Sequence, residues 1–253
     1  MEFWQNIYSQ FDPVAFNIGS VAVHWYGIMY ALALLSAIFV AKWLIRHDKI
    51  NIKEELFDSY IWWAEIGVIL GARIGYILFY DTQTMYYVTH PWQIFNPFIN
   101  GEYAGISGMS YHGAFIGFLI ASILFCKKNK VSFWFLADIS VLGISAGYVF
   151  GRIGNFFNQE LIGRETDVPW AILVNDKLRH PSQLYEAFLE GILIFIILFA
   201  IRKRKSFDGQ LAIFYGILYS IARIIAESFR EPDIQLGFLY GEWLTMGMLI
   251  SGI

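Results

Sequence analysis

The chain contains a single cysteine, Cys126, among 253 residues. That excludes an internal disulfide and any metal site built from several thiolates, and Cys126 itself reads as a small apolar residue at a helix end. Charge is the second scarcity. Only 15% of the residues are charged, against 57% hydrophobic and a mean hydropathy of +0.50, which excludes an ordinary soluble domain and identifies an integral membrane protein. Lys and Arg are absent from the opening MEFWQNIYSQFDPVAF. That stretch also lacks an apolar run long enough for a signal peptide, so it is expected to stay as an interfacial segment. The formal net charge of −3 says little about partners, because in a membrane protein the placement of charge decides more than its sum.

A hydrocarbon core of about 30 Å needs about 20 mostly apolar helical residues. Seven segments qualify, at roughly 21–42, 57–80, 109–126, 134–156, 183–201, 209–230 and 238–253. The expected fold class is an all-α integral membrane protein of about seven transmembrane helices, forming one polytopic domain over residues 1–253. The last segment stops after about 16 residues with no polar flank, which points to a chain that is cut short or ends inside the membrane. Two sizeable pieces lie between spans. Residues 81–108, aromatic with two prolines, read as an amphipathic arm in the interface. Residues 157–182, with DVPWAILVND inside, read as a small extracytoplasmic head with one short strand or hairpin.

Basic residues prefer short cytoplasmic loops. The connections after spans one, three and five, KWLIRHDKINIK, CKKNK and IRKRK, hold eleven Lys/Arg, whereas the N-terminus and the other three connections hold only Arg164, Lys177, Arg179 and Arg230. The N-terminus is therefore expected outside, with the even-numbered spans running from cytoplasm to exterior.

Three arginines remain, one in each even-numbered span: Arg73 in GARIGY, Arg152 in GRIGN and Arg223 in ARIIAES. Each sits about four to eight residues short of the outer end, roughly 6 to 12 Å below the surface at a helical rise of 1.5 Å. Arginine at that depth is tolerated when it faces a bundle interior or a wet cavity and finds a partner. One reading is a cationic cavity open to the outer leaflet, holding an anion. The other is that each arginine pairs with a carboxylate and only joins helices. Glu227 follows Arg223 by four residues and Glu65 precedes Arg73 by eight, while the nearest acid in the span of Arg152 is Asp138, about 21 Å away along the helix. The surplus of positive charge favours the anion.

Other polar residues are expected at that level. His112 opens the third span in GMSYHG, and Tyr26 lies near the outer start of the first, in VHWYG. Tyr219, Arg223, Glu227 and Arg230 are spaced by four, four and three, on one stripe of the sixth helix. Gly147, Gly151 and Gly154 in the fourth span, with Gly113 and Gly117 in the third, allow close helix approach or leave room for a ligand chain.

The run GRIGNFFNQELIGRE, then RHPSQLYEAFLEG and YSIARIIAESFREPD, with HWYG and GMSYHG upstream, resembles the bacterial prolipoprotein diacylglyceryl transferases over nearly the whole chain. In that family GRIGN is usually followed by F-x-N-G-E, and here Gln159 replaces the glycine while Asn158 and Glu160 remain. The resemblance implies transfer of a diacylglyceryl group from phosphatidylglycerol onto the lipobox cysteine thiol of a prolipoprotein signal peptide, releasing glycerol phosphate. It implies a multi-pass protein of the bacterial inner membrane, in contact with the lipid bilayer, with no cofactor, no metal and no nucleic-acid partner. In that picture Arg152 and Arg223 neutralise the lipid phosphate, with Arg73 deeper or behind them, and Glu227 orients Arg223. His112 is the candidate base if one is needed. Asn155, Glu160 and Gly163 shape the mouth, Tyr26 and Tyr219 the lipid side, and Arg230 joins the substrate-binding set.

Two rivals stand beside this reading. GISG at 105–108 is a G-x-S-G string of the kind an intramembrane serine protease would use, but His112 is only five residues from Ser107. An anion channel would also explain three arginines, yet it needs polar residues continuing to the cytoplasmic face, where these spans are apolar apart from Glu65 and Asp138.

Overall fold

The computed structural model describes residues 2–19, 21–99, 102–103 and 108–231. In chain order, α1 (Glu2–Gln5) and a 3-10 turn (Ile7–Gln10) lead into a hairpin of β1 (Val14–Ile18) and β2 (Val21–His24), followed directly by α2 (Trp25–His47). Helix α3 (Glu54–Phe79) is followed by α4 (Thr84–Thr89), a 3-10 turn (Pro91–Gln93), the two-residue pair β3 (Phe98–Ile99) and β4 (Glu102–Tyr103), and α5 (Tyr111–Asn129). Helix α6 (Phe133–Phe157) leads to a hairpin of β5 (Ile172–Val174) and β6 (Lys177–Arg179). A continuous helical stretch then comprises α7 (Ser182–Glu186), a π-helical segment (Ala187–Leu193) and α8 (Ile194–Ile201), after which α9 (Gln210–Glu227) completes the described elements.

Among the described residues six helices are long and apolar enough to cross a membrane: 25–47, 54–79, 111–129, 133–157, 182–204 and 210–227. The protein is thus a mostly helical membrane protein. The seventh expected span, 238–253, lies outside the described residues. The first span differs from the sequence expectation at its start, because the alternating Val21–His24 pairs with β1 in place of joining the helix. Such β-branched alternation suits a pleated strand better than a helical turn.

The chain divides into two compact units, residues 1–49 with 134–253, and residues 50–133, where the sequence reads as one domain. The second unit explains itself through α3 and α5. Gly67, Gly71 and Gly75 on α3 face Gly113, Gly117 and Ala121 on α5, with the two backbones in contact. A Cβ built at Gly117 would collide with the Gly67 carbonyl oxygen, and one at Gly75 would lie 2.6 Å from Gly113 Cα. A small-residue seam of this kind joins helices where water-driven burial is unavailable. Ser110 caps α5, its Oγ accepting from the Gly113 N–H at 3.1 Å.

In the first unit, α6 packs on α2 through Gly143 and Gly147, where an added Cβ would lie 2.6 and 2.7 Å from the carbonyl oxygens of Ala37 and Ala33. Leu44, Val141, Leu142, Ile194, Leu198, Leu211 and Ala222 form its core. Asp138, almost fully buried, caps the start of α9 from outside that helix. Its carboxylate accepts from the N–H groups of Gly209 (2.9 Å), Leu211 (2.9 Å) and Ala212 (3.1 Å), and from Lys205 Nζ (3.0 Å), meeting the orphan donors and the positive pole of the helix start. Asp48, just after α2, pairs with Arg202 at 2.8 Å and Lys203 at 3.2 Å, so the basic ends of the first and fifth spans meet. Burial alone would raise the Asp48 carboxyl, but these two cations outweigh it and hold the group below the usual carboxylate range.

Gly117→Ala should separate α3 from α5 and destabilise the protein by about 1–3 kcal/mol. Gly216→Ala on α9, where an added Cβ meets nothing within 4 Å, should be neutral or mildly stabilising. Thermal unfolding of both purified variants in one detergent checks this, and equal melting would discount the seam.

Candidate functional site

Three helical stretches of the first unit converge through their polar residues. On α6, Tyr148, Arg152 and Asn155 are spaced by four and three, and so share one stripe. Glu186 ends α7, and Glu190 lies four residues later in the π-helical segment. On α9, Tyr219, Arg223 and Glu227 repeat every four residues, with Arg230 just beyond the helix end. The approach of these stretches depends on Gly191, whose Cβ would lie 2.6 Å from a methyl of Val149.

Glu186 is the joint of the cluster. Its Oε2 lies 3.0 Å from Arg152 Nε and 3.0 Å from Arg223 Nη1. Glu190 lies 3.4 Å from Arg223 Nη1 and 3.8 Å from Arg152 Nη2. Arg223 Nη2 donates to Glu227, and Arg230 Nη1 is 4.0 Å from that same carboxylate oxygen. Arg152 Nε donates to the Tyr148 hydroxyl at 2.8 Å, the hydroxyl donates to Glu190, and the guanidinium carbon lies 4.8 Å from the Tyr148 ring centre. Glu186 and Glu190 are wholly buried. The Arg152 side chain keeps 15% of its surface exposed and Arg223 keeps 10%.

This corrects the expectation of surplus positive charge. Asp138 is not the acid that matters to Arg152, since its carboxylate is engaged by the start of α9. The partners are Glu186 and Glu190, which arrive from the next span. In this cluster Arg152, Arg223 and Arg230 face Glu186, Glu190 and Glu227, so the formal charges balance. A buried arginine without compensating partners would carry the full desolvation cost, and here the compensation comes from the neighbouring span. The signal was available: two glutamates four residues apart inside an apolar run call for an explanation as much as arginines do.

At the end of α6, Asn155 Oδ1 accepts from Arg152 Nη1 at 3.3 Å, while its Nδ2 donates to Glu160 at 2.6 Å. Gln159 and Leu161 both adopt left-handed backbone, with φ of 56° and 54°. The first of these is the position where the family resemblance leads one to expect glycine, which takes that conformation without strain. Gln159 offsets the cost by donating from Nε2 to the carbonyls of Tyr8 and Phe11, both at 3.1 Å. Gln183, wholly buried, donates to the Tyr8 hydroxyl at 3.2 Å and to the Glu160 carbonyl. Burial raises the Tyr8 phenol against that hydrogen bond and keeps it neutral. Neither Tyr8, Tyr148, Gln183, Glu186 nor Glu190 is among the residues that the sequence singled out.

Gly163 forms an antiparallel bridge with Arg230, and any Cβ there would strike the His180 carbonyl oxygen. The segment after α9 is thereby tied to the small head. Burial lowers the His180 imidazole from its ordinary value. Tyr26, at the start of α2, is half exposed and lies against Gly154, whose added Cβ would be 3.5 Å from the ring. Tyr219 meets Tyr148 edge-on with ring centres 5.9 Å apart. Gly151, next to Arg152, has nothing within 4 Å of an added Cβ.

Arg73 and His112 belong to the second unit. Arg73 is buried and donates from Nε to the Ile94 carbonyl at 2.6 Å and from Nη1 to the Gly108 carbonyl at 3.2 Å, with its guanidinium carbon 5.4 Å from the Tyr87 ring centre. It fastens the arm to α3. His112 is exposed in the first turn of α5, its ring edge-on to Tyr111 at 5.9 Å. The G-x-S-G string falls on residues of which 105–107 lie outside the described set.

Comparison with known proteins agrees along the whole chain. The family profile described as prolipoprotein diacylglyceryl transferase matches residues 13–253. A phosphatidylglycerol–prolipoprotein diacylglyceryl transferase of Aliarcobacter butzleri is 78% identical over 251 residues, covering 99% of this chain and 92% of the relative. The protein of the same name in Campylobacter lari is 60% identical over 252 residues, with 99% and 92% covered. In Campylobacter jejuni the corresponding figures are 60% over 254 residues, with 100% and 93% covered.

Proposed function

The chain belongs to the prolipoprotein diacylglyceryl transferase family, and from that premise we propose how its own residues carry the reaction. It is an enzyme that transfers the diacylglyceryl group of phosphatidylglycerol to a prolipoprotein. The acceptor is the lipobox cysteine thiol of the signal peptide. Its sulfur forms a C–S bond to the terminal glyceryl carbon as the bond from that carbon to the phosphate oxygen breaks. The phosphate leaves as glycerol phosphate, and the thiol proton passes to a base or to solvent.

A phosphodiester carries one negative charge and the departing monoester tends toward two, so charge develops on the leaving group. Donors fixed in advance around that group stabilise the transition state more than the ground state. What supports this assignment most is Glu186, 3.0 Å from both Arg152 and Arg223, which holds two guanidinium groups without using all their N–H donors. Arg152 lies at the polar end of α6, beside Asn155, Glu160 and the open space at Gly151, and is assigned as the phosphate ligand. Arg223 and Arg230, linked through Glu227, support it. Tyr26 and Tyr219 border the lipid, Gly163 shapes the mouth with Asn155 and Glu160, and Arg73 acts by holding the arm. A thiol in positive surroundings ionises more readily, and His112 takes its proton if a base is required.

Arg152→Ala should lower kcat/KM by about 3–4 kcal/mol, and Arg152→Lys should recover only part, since an ammonium cannot reproduce the planar fork. Purified protein, phosphatidylglycerol and a lipobox peptide suffice, with the peptide mass followed. Near-normal turnover of Arg152→Ala rules the assignment out.

The protein is assigned to the bacterial inner membrane on its family, and its N-terminus to the outside on the distribution of basic residues. In a Cys126→Ala background, a cysteine replacing Asp167 should react with an impermeant maleimide in intact cells, and one replacing Asn129 should not. The reverse pattern inverts the topology.

If His112 is the general base, His112→Gln should depress the rate most at low pH and recover toward the thiol pKa of about 8.5, where the substrate ionises unaided. Rates of thioether formation between about pH 6 and pH 9.5 at saturating lipid decide this. Parallel profiles for wild type and variant remove any proton-transfer role from His112.

A further inference from the structure

We infer that Tyr148 is a positioning residue for the phosphate ligand: its hydroxyl, set between Arg152 and Glu190, keeps the Glu190 carboxylate directed at Arg223 and leaves Arg152 with N–H donors for an anion. The inference rests on the reading that Arg152 meets the lipid phosphate.

A phenol has one proton to give and can accept from two donors. Here Arg152 uses both Nε and Nη2 to donate to the Tyr148 oxygen, so the hydroxyl proton goes to Glu190 Oε2. Glu190 is wholly buried and must be satisfied by donors within the protein. With the hydroxyl present, one oxygen receives Tyr148 and the other faces Arg223 Nη1 at 3.4 Å, while Arg152 Nη2 stays 3.8 Å away. The carboxylates are therefore shared unequally. Arg223 is gripped by Glu186, Glu190 and Glu227, whereas Arg152 lies within 3.0 Å of Glu186 alone. With Glu190 more distant at 3.8 Å, the hydrogen bonds of Arg152 go to neutral oxygens, those of Tyr148 and Asn155. Neutral acceptors fix the guanidinium plane without cancelling its charge. The Tyr148 ring adds a face beneath that plane, and Tyr219 packs against its edge.

Remove the hydroxyl and a buried carboxylate loses a donor. The nearest replacement is Arg152 Nη2, and closing that gap draws the charge of Glu190 onto the arginine that must meet phosphate. The damage in Tyr148→Phe is thus caused by Glu190, so removing the charge of Glu190 should reverse it. A tyrosine that merely packs predicts the opposite, because two losses in one buried network do not cancel.

The test is a double-mutant cycle on the full-length enzyme in nanodiscs, with Tyr148→Phe, Glu190→Gln and both together. KM for phosphatidylglycerol and kcat are measured with a lipobox peptide, and binding of fluorescent phosphatidylglycerol is measured without peptide. Tyr148→Phe should raise the lipid KM and weaken lipid binding by about 10-fold, the scale of one hydrogen bond to a charged group, with kcat changed less. The double variant should bind lipid more tightly than Tyr148→Phe alone. Unchanged lipid binding in Tyr148→Phe, or a double variant weaker than the single one, overturns the inference. If the wild-type enzyme binds the lipid but forms no thioether, the transferase reading fails and the role of Tyr148 is still decided by the binding cycle. If the wild type does not bind phosphatidylglycerol, both fall.

Discussion

Everything around the candidate site depends on one carboxylate. Glu186 is wholly buried and lies 3.0 Å from each of two arginines that come from different helices. Two guanidinium groups at that spacing repel each other, and a low dielectric strengthens the repulsion. A shared anion turns it into a bridge that ties α6 to α9 through α7. Such bridges add little to stability compared with apolar packing, but losing one partner strands a buried charge. The geometry of the site and the register of three helices are thus held by the same contact.

Backbone proximity makes that contact possible. Gly191 brings the π-helical segment against Val149, and Gly143 with Gly147 brings α6 against α2. Asp138 then fixes where α9 begins, and so where Arg223, fourteen residues after Gly209, falls along the bundle. The ion pairs come at one end of these helices and the Asp138 cap at the other. A shift of α9 along its axis would have to break both.

How much of this was legible in the sequence follows from whether an interaction stays within one helix. The stripe Tyr219, Arg223, Glu227 and Arg230 was readable because helical spacing is intrinsic, and the contact between Arg223 and Glu227 needs nothing further. Arg152 was readable as a charge requiring compensation, but not as a partner of Glu186, because which face of one span meets which face of another is a property of packing. Asp138 looked like an isolated polar residue in an apolar half-span until the start of α9 supplied its donors. The N-terminal segment read as interfacial from its lack of Lys, Arg and a long apolar run. Its rings pack on the end of α6, with Phe11 stacked on Phe157 at 4.6 Å and Tyr8 tilted against Phe156 at 5.1 Å, and no spacing rule foretells that contact.

A charge-balanced cluster can still be an anion site, because an approaching phosphate responds to the nearest donors before it responds to the sum. Glu186 and Glu190 are sealed in the helix packing with no exposed surface, whereas Arg152 retains some. The two carboxylates that hold Arg152 are thus less accessible than Arg152 itself, and the partly exposed carboxylate of Glu160 is separated from it by Asn155. This arrangement lets arginine persist inside a membrane without an occupant, since its desolvation is compensated when the site is empty. It also keeps attraction for anions short-ranged and directional. A surplus of cations would draw any anionic headgroup from the surrounding lipid, whereas a balanced and oriented pair favours a phosphate that reaches the donors in the right geometry. Discrimination of that kind is what a transferase immersed in its own donor lipid requires.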